Sequence, residues 1–267
     1  MKPSPQRTTG TIRTMVEGPV GWLVVDNEAK RNALSLTMWT QLPEHVETLC
    51  DNPDVRLIIL RGAGGSSFVS GADISEFEAT RATADAARSY DAINVAAFKA
   101  LKTAAKPTLA MIRGHCLGGG LGLAFACDMR IAAEGSVFAI PAARLGLAYP
   151  VEAMADIVEA VGPATAKRLL FTASRLTAGE ALTAKVIDEL VPEDALEDRC
   201  RVLADTISAN APMTLKAAKL TINALSSGAP EDMAKAIAAA EACFTSSDFA
   251  EGRSAFLEKR QPSFTGQ

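Results

Sequence analysis

Residues 114–128 read GHCLGGGLGLAFACD, directly after KPTLAMIR, a short apolar run that reads as a strand. Three consecutive glycines, Gly118, Gly119 and Gly120, stand at the mouth of an apolar helical run, and a fourth, Gly122, falls inside its first turn. A glycine in a helix costs about 1 kcal/mol relative to alanine, so four so close together demand a reason. A strand that passes through glycines into a helix presents free N–H groups at the positive end of the helix dipole. The missing Cβ atoms also let a ligand approach the backbone. Such a place suits a phosphate or the developing oxyanion of a carbonyl reaction. Close helix–strand packing is the competing explanation on these residues alone.

Around this stretch the first half of the chain alternates strand-like and helical runs. VGWLVVD (20–26) and VRLIILR (55–61) are apolar and β-branched with turn residues at their edges. Met38, Leu42, Val46 and Leu49 recur at helical spacing behind Ser35 as N-cap, with Pro43 expected to kink that helix. A long helix is expected over about 80–104, then the strand PTLAMIR and two more strands, MRIAA and VFAI. From residue 151 onward the pattern reads as helical throughout. Gly162-Pro163 is expected to end one helix and start the next, and Thr177 with Glu180 forms a capping box. Asp248, with Glu251 three residues on, is expected to cap a last helix carrying AFLEKR.

Composition excludes several classes. The 267 residues suffice for one large domain, or one with an appendage. A net charge of −4 argues against a general nucleic-acid surface. The first ten residues carry no apolar signal segment, and no apolar run is long enough to span a bilayer. Five unpaired-looking cysteines fit buried thiols in a reducing cytoplasm. The two histidines, His45 and His115, have no metal-ligand spacing, and neither a metal site nor a histidine-dependent triad is expected. GAGGSS (62–67) lacks the register of a dinucleotide loop and reads as a turn.

FVSGADISEF (68–77) sets Gly71-Ala72-Asp73 after the VRLIILR strand. Together, FxSGADI and HxxGGGxxLAxxCD resemble the two signature segments of the enoyl-CoA hydratase/isomerase family, the crotonase superfamily. KRNALS (30–35) resembles its early CoA-binding segment, and SSDFAEGRSAFLEKRQPSF (246–264) its C-terminal signature. The resemblance implies an α/β fold: a crotonase-type spiral of ββα units over residues 1–200, then a helical trimerisation region over 201–267. It implies an acyl-CoA thioester substrate, with coenzyme A part of that substrate and no separate cofactor. The backbone N–H groups of Ala72 and Gly119 would form an oxyanion hole, with Gly118 and Gly120 leaving room for the thioester. Lys30, Ala33, Ser70, Asp73 and Ile74 fall at CoA-binding positions, the last two beside the adenine. Phe256 and Lys259 match positions that reach the CoA of a neighbouring subunit, in a homotrimer or a hexamer of paired trimers.

The chain departs from the family where hydration needs two glutamates. The first belongs three residues after the oxyanion glycine, on the same helix face, and here is Gly122; the second, in FAIPAARLG, is Ala142. Neither residue transfers protons. The expectation is that Gly122 enlarges the pocket, with helix packing as the alternative, and that restoring both glutamates restores some hydration. RLGLAYP resembles the corresponding segment of methylmalonyl-CoA decarboxylases, where a tyrosine sits over the acyl group. Tyr149 is thus the third catalytic candidate, its alternative being a packed aromatic. Decarboxylation or isomerisation through an enolate is favoured over hydration. The rival readings are a non-catalytic acyl-CoA-binding protein and a hydratase with substitute acids. Arg144 is a weaker candidate for a substrate carboxylate, Glu76 and Glu78 for solvated helix-start charges, and Glu152 or Asp156 for a replacement acid.

Overall fold

Short apolar strands joined by tight corners build a spiral, seen in a computed structural model that describes residues 10–267. The N-terminal segment read as lacking a signal therefore lies, apart from Gly10, outside the described residues. The first turn of the spiral is a hairpin, β1 (Thr11–Glu17) and β2 (Val20–Asp26), followed by helix α1 (Leu36–Asp51). The second is β3 (Leu57–Gly62), β4 (Ser67–Val69), the one-turn α2 (Phe77–Thr80) and α3 (Ala84–Lys102). The third is β5 (Thr108–Ile112), β6 (His115–Leu117) and α4 (Gly119–Ala126). The fourth is β7 (Met129–Ala133), β8 (Val137–Ala139) and α5 (Val151–Thr172).

In turns two to four, the first strand joins one sheet and the second joins another. The corner between them is sharp: at Gly114, with φ +66°, a Cβ would stand 2.0 Å from the Ser66 carbonyl oxygen. The larger sheet has six strands in the order β1-β2-β3-β5-β7-β10, where β10 is Glu189–Val191. The smaller has four, β4-β6-β8-β9, where β9 is Leu176–Thr177. Stacking successive turns in register makes β2, β3, β5, β7 and β10 parallel, with both faces covered. Leu23, Val25, Ile58, Leu60, Ala110 and Ile112 point to the layer holding α1, α3 and α4. Their alternates, including Trp22, Leu57, Ile59 and Leu109, lie under Leu196, Cys200, Ala204 and Ile207 of α7 (Leu196–Ser208).

The chain continues beyond α5 through α6 (Ala178–Thr183), then α7, α8 (Pro212–Ser227), α9 (Pro230–Phe244) and α10 (Ser247–Glu258). Two expectations fail here. The region after residue 151 is not helical throughout, because β9 and β10 complete the edges of the two sheets. Strands of two or three residues are too short to show a period of two. The last helix is capped by Ser246, whose hydroxyl accepts from the Phe249 N–H; Asp248 is buried and accepts from the N–H groups of Thr265 and Gly266. The carboxylate ties down the C-terminal tail instead of capping.

Elsewhere the reading is sharpened. The long helix begins only at Ala84, with Thr83 as its N-cap, and α1 runs through Pro43 without a break. Gly162, at φ 73° and ψ 163°, interrupts α5 at the Gly-Pro pair, and the Thr177–Glu180 capping box is complete. The division at 200/201 falls inside α7. No helix among the described residues is long and apolar enough to cross a membrane.

Candidate active site

The glycine stretch and the Gly71-Ala72-Asp73 segment meet at one cleft. Residues 30–35 hold the second segment in place. Arg31 and Asn32 both take left-handed backbone angles, φ 54° and 57°, which turn the chain so that it runs beside residues 70–73. There the Leu34 N–H donates to the Gly71 carbonyl at 2.9 Å and the Asp73 N–H to the Leu34 carbonyl at 2.8 Å. Asn32, fully buried, donates from its amide to the carbonyls of Ala63 and Ser67 and so locks the turn between β3 and β4. These bridges use the Gly71 carbonyl and the Asp73 N–H, on either side of Ala72. Its own N–H donates to no protein acceptor among the described residues, and the same is true of Gly119 at the first position of α4. The two amides are neighbours: a Cβ built on Gly119 would lie 4.0 Å from the Ala72 nitrogen.

The four glycines now have separate explanations. Gly118 sits at φ 54° and ψ −122°, a mirror-image backbone that a side chain resists. Its N–H donates to Ala139 at 2.8 Å, which aims α4 into the cleft. A Cβ on Gly119 would meet the Trp39 ring at 2.9 Å, and one on Gly120 the Val69 carbonyl oxygen at 2.1 Å. Gly120 therefore serves helix–strand packing and not room for a thioester. Gly122 does not enlarge the pocket either. Its missing side chain is replaced by the Phe98 ring of α3, whose Cζ would lie 2.8 Å from a Cβ there.

Tyr149 leans over this stretch, its hydroxyl 3.7 Å from where a Cβ on Gly118 would be, and it makes no protein hydrogen bond among the described residues. It is half-buried; burial pushes its hydroxyl pKa up, while the Arg81 charge pulls the other way. Pro150 follows it at the N-cap of α5. Ala142, at the second glutamate position, is buried in the cleft wall.

The remaining site candidates divide into two places. Lys30 donates to Asp73 at 2.5 Å and to the Ser75 hydroxyl at 3.1 Å, and the Ser70 hydroxyl donates to the Lys30 carbonyl. Ala33 is buried beside them, and Ile74 is exposed at the rim. Burial alone would raise the Asp73 carboxyl, but the bonds from Lys30 and Ser75 hold it below its ordinary range. Phe256 and Lys259 are not among the residues lining the cleft. Phe256 is 83% exposed on α10, beside an apolar hollow with Phe244, Phe249 and Phe264, and Lys259 ends that helix with φ 55°.

The weaker candidates fall away from the cleft. Asp156 binds Lys102 at 2.5 Å, and Glu152, Glu78 and Arg144 are exposed outside the lining. Glu76 is not a free charge: its carboxylate accepts from the Leu36 N–H at 2.7 Å and caps the start of α1.

Sequence reasoning missed a wall of the cleft formed by Arg81 and by Asp91, Asn94 and Phe98 of α3. Asp91 is the one carboxylate among the described residues lining the cleft, and Arg81 binds it at 2.7 Å. The signal was present: Asn94 interrupts the apolar stripe of Tyr90, Ala97, Phe98 and Leu101 on α3. Among the described residues no group of three or more His, Cys, Asp or Glu side chains is placed to hold a metal ion.

The arrangement offers an anion or a polarised carbonyl oxygen two neighbouring free amides, one at a helix start, beside a phenol. Known proteins resemble this chain in sequence and fold. The family model for enoyl-CoA hydratase/isomerase matches residues 17–267. The chain is 32% identical over 246 residues to a crotonyl-CoA hydratase of Syntrophomonas wolfei, covering 91% of this chain and 93% of that one. It is 31% identical over 249 residues to a short-chain-enoyl-CoA hydratase of Clostridium acetobutylicum, covering 92% and 94%. The solved structure of a Hyphomonas neptunium protein assigned to the enoyl-CoA hydratase/isomerase family superposes with a TM-score of 0.92 at 38% identity, covering 98% of this chain and all of that one. With the fold, the paired amides and the match over nearly its whole length in agreement, this chain belongs to the enoyl-CoA hydratase/isomerase family, the crotonase superfamily, and is an enzyme of that family.

Proposed function

We propose that the protein stabilises a thioester enolate in this cleft, in decarboxylase- or isomerase-like chemistry in place of hydration. The acyl-CoA carbonyl oxygen lies on the Ala72 and Gly119 amides. Removing one such donor typically costs about 3–4 kcal/mol of transition-state stabilisation. The observation that carries the reading is the absence of an acid–base pair. Gly122 and Ala142 occupy the glutamate positions, and Asp91, the one lining carboxylate described, is held by Arg81. Decarboxylation needs no general base to start. The bond to the departing carboxylate breaks, its electron pair enters the enolate, carbon dioxide leaves, and a proton then reaches the α-carbon. Tyr149 stands where its phenol can orient the carboxylate out of the thioester plane.

Lys30, Ala33, Ser70, Asp73 and Ile74 line the CoA path, and no separate cofactor takes part. Phe256 and Lys259 reach the CoA of a neighbouring copy in a homotrimer or hexamer, a role consistent with the exposed Ile222, Leu225, Ile237, Phe244 and Leu257 on α8–α10. The second reading, hydration through a substitute acid, is favoured by the hydratase names of the relatives and by Asp91 itself.

The deciding experiment incubates the protein with enoyl-, malonyl-, methylmalonyl- and hydroxyacyl-CoA thioesters and identifies products by mass. Loss of carbon dioxide with negligible hydration is expected. Hydration of a short enoyl-CoA at about 1–1000 per second would establish the second reading, and no turnover of any thioester would sink both.

A further inference from the structure

Arg81 is the one positive charge among the described residues lining the cleft. It stands on the short connection between α2 and α3, where its N–H donates to the Phe77 carbonyl and ends α2. Arg144, which the sequence put forward for a substrate carboxylate, lies outside that lining. The Arg81 guanidinium lies over the Tyr90 ring at 4.3 Å and the Phe77 ring at 5.2 Å, contacts that fix its plane. Its Nη2 donates to Asp91 Oδ1 at 2.7 Å, a single-pronged pairing. Nε is sealed in the wall, beyond the reach of any ligand. Nη1 is different: it donates to no described protein acceptor and is not closed off from solvent. The Tyr149 hydroxyl shares both properties. The Arg81 charge acts on that hydroxyl, pulling its pKa down against burial. Both groups therefore face the same small space, of about 100 Å³.

A guanidinium whose side chain is only 14% exposed has lost most of its water. A cleft for a plain hydrocarbon chain has no use for such a charge, which costs free energy to bury. Two aromatic rings and Asp91 offset that cost and leave Nη1 open. A guanidinium nitrogen only donates, and an ionised carboxylate only accepts. Bonds between them are among the strongest that neutral water permits. Asp91 has a further consequence for a carboxylate that must depart. Carbon dioxide is neutral, so an unopposed arginine would bind the ground state better than the transition state and slow its loss. A fixed carboxylate beside Arg81 weakens that grip.

Resting on the enolate reading of the cleft, we propose that Arg81 Nη1 binds a carboxylate on the acyl group, beside the Tyr149 hydroxyl that orients it. The substrate is then a carboxyacyl-CoA thioester. Asp91 is the counter-ion that holds Arg81 in place and moderates its pull, not a substitute proton donor.

The test compares binding of malonyl-, methylmalonyl- and succinyl-CoA, each against the primary amide that replaces its carboxylate. Rapid mixing with intrinsic tryptophan fluorescence reads affinity before turnover. At least one acid should bind about tenfold or more tighter than its amide, the worth of one charge-assisted hydrogen bond. Arg81→Met should bring that acid down to the affinity of its amide and leave the amide little changed, while Arg81→Lys keeps part of the preference. Asp91→Asn, which decides even where Arg81→Met fails to fold, should tighten the acid and not the amide. An acid bound no tighter by that variant overturns the proposal. Acids and amides that bind alike to the unaltered protein overturn it too, while the acyl-CoA reading and isomerase-like chemistry stand. A preference that survives Arg81→Met overturns the role of Arg81 and leaves the decarboxylase reading intact. Failure of every thioester and of CoA itself to bind removes both proposals together.

Discussion

Gly122 stands where a hydratase would carry its first glutamate, and Phe98 occupies the space a side chain there would take. Gly122→Ala tests how firmly. On helix propensity alone the change should stabilise by about 1 kcal/mol. Against this, the new methyl would lie 2.8 Å from Phe98 Cζ and 3.0 Å from Cε1. The ring cannot simply retreat. It is 6% exposed and stacked on Trp39, which in turn lies against Gly119. Overpacking of this kind costs about 1–3 kcal/mol, so the net expectation is a loss of about 1 kcal/mol. Urea unfolding at fixed protomer concentration measures it, since any oligomer makes the midpoint concentration-dependent. In the double variant Gly122→Ala/Phe98→Leu the smaller side chain should absorb the methyl, giving a favourable coupling of about 0.5–3 kcal/mol. A stabilised Gly122→Ala, or effects that add within about 0.5 kcal/mol, would refute the reasoning. The same geometry corrects an expectation drawn from sequence. Gly122→Glu with Ala142→Glu cannot restore hydration while Phe98 holds the space, so a third change at Phe98 is required.

Tyr149→Phe should lower kcat by about tenfold to a hundredfold with little change in KM, from loss of one hydrogen bond to a charged group worth about 1.5–3 kcal/mol. Its melting temperature should hold, because the hydroxyl bonds no described protein atom; a lower melting temperature with unchanged kinetics removes Tyr149 from the mechanism. At Asp73 the folded carboxyl sits below its unfolded range, so its contribution is present above that range and is lost as pH falls through the folded value. Asp73→Asn should therefore flatten the loss of stability on acidification below about pH 5, and superimposable acid profiles of variant and wild type would contradict this.

The sequence by itself determined the architecture and the backbone part of the site. Strand-length apolar runs such as VGWLVVD are buried on both faces, and their β-branched composition marks them as strands without coordinates. Their winding into a spiral was legible only through the family resemblance. Gly71-Ala72-Asp73 and the glycine triplet were legible for a related reason. An unpaired amide at a helix start is a property of local backbone, and local backbone is written in glycines and caps. The two absent glutamates were equally plain, being residues at fixed offsets from those glycines. What the spaces around them contain was not. Gly122 reads as an opening until α3, distant in sequence, is seen to put Phe98 into it, and Gly120 reads as room for ligand until Val69 is seen against it. β9 and β10 likewise depend on partners across the sheets, having too few residues to declare a period. Asp248 looks like a cap until the C-terminal tail folds back onto it. Trp39, Arg81 and Asn94 come from three separate stretches of chain, and that they line one cleft is a relation only the fold creates. Burial and hydrogen-bond satisfaction are sums over neighbours brought together by the fold, and tertiary structure alone decided them.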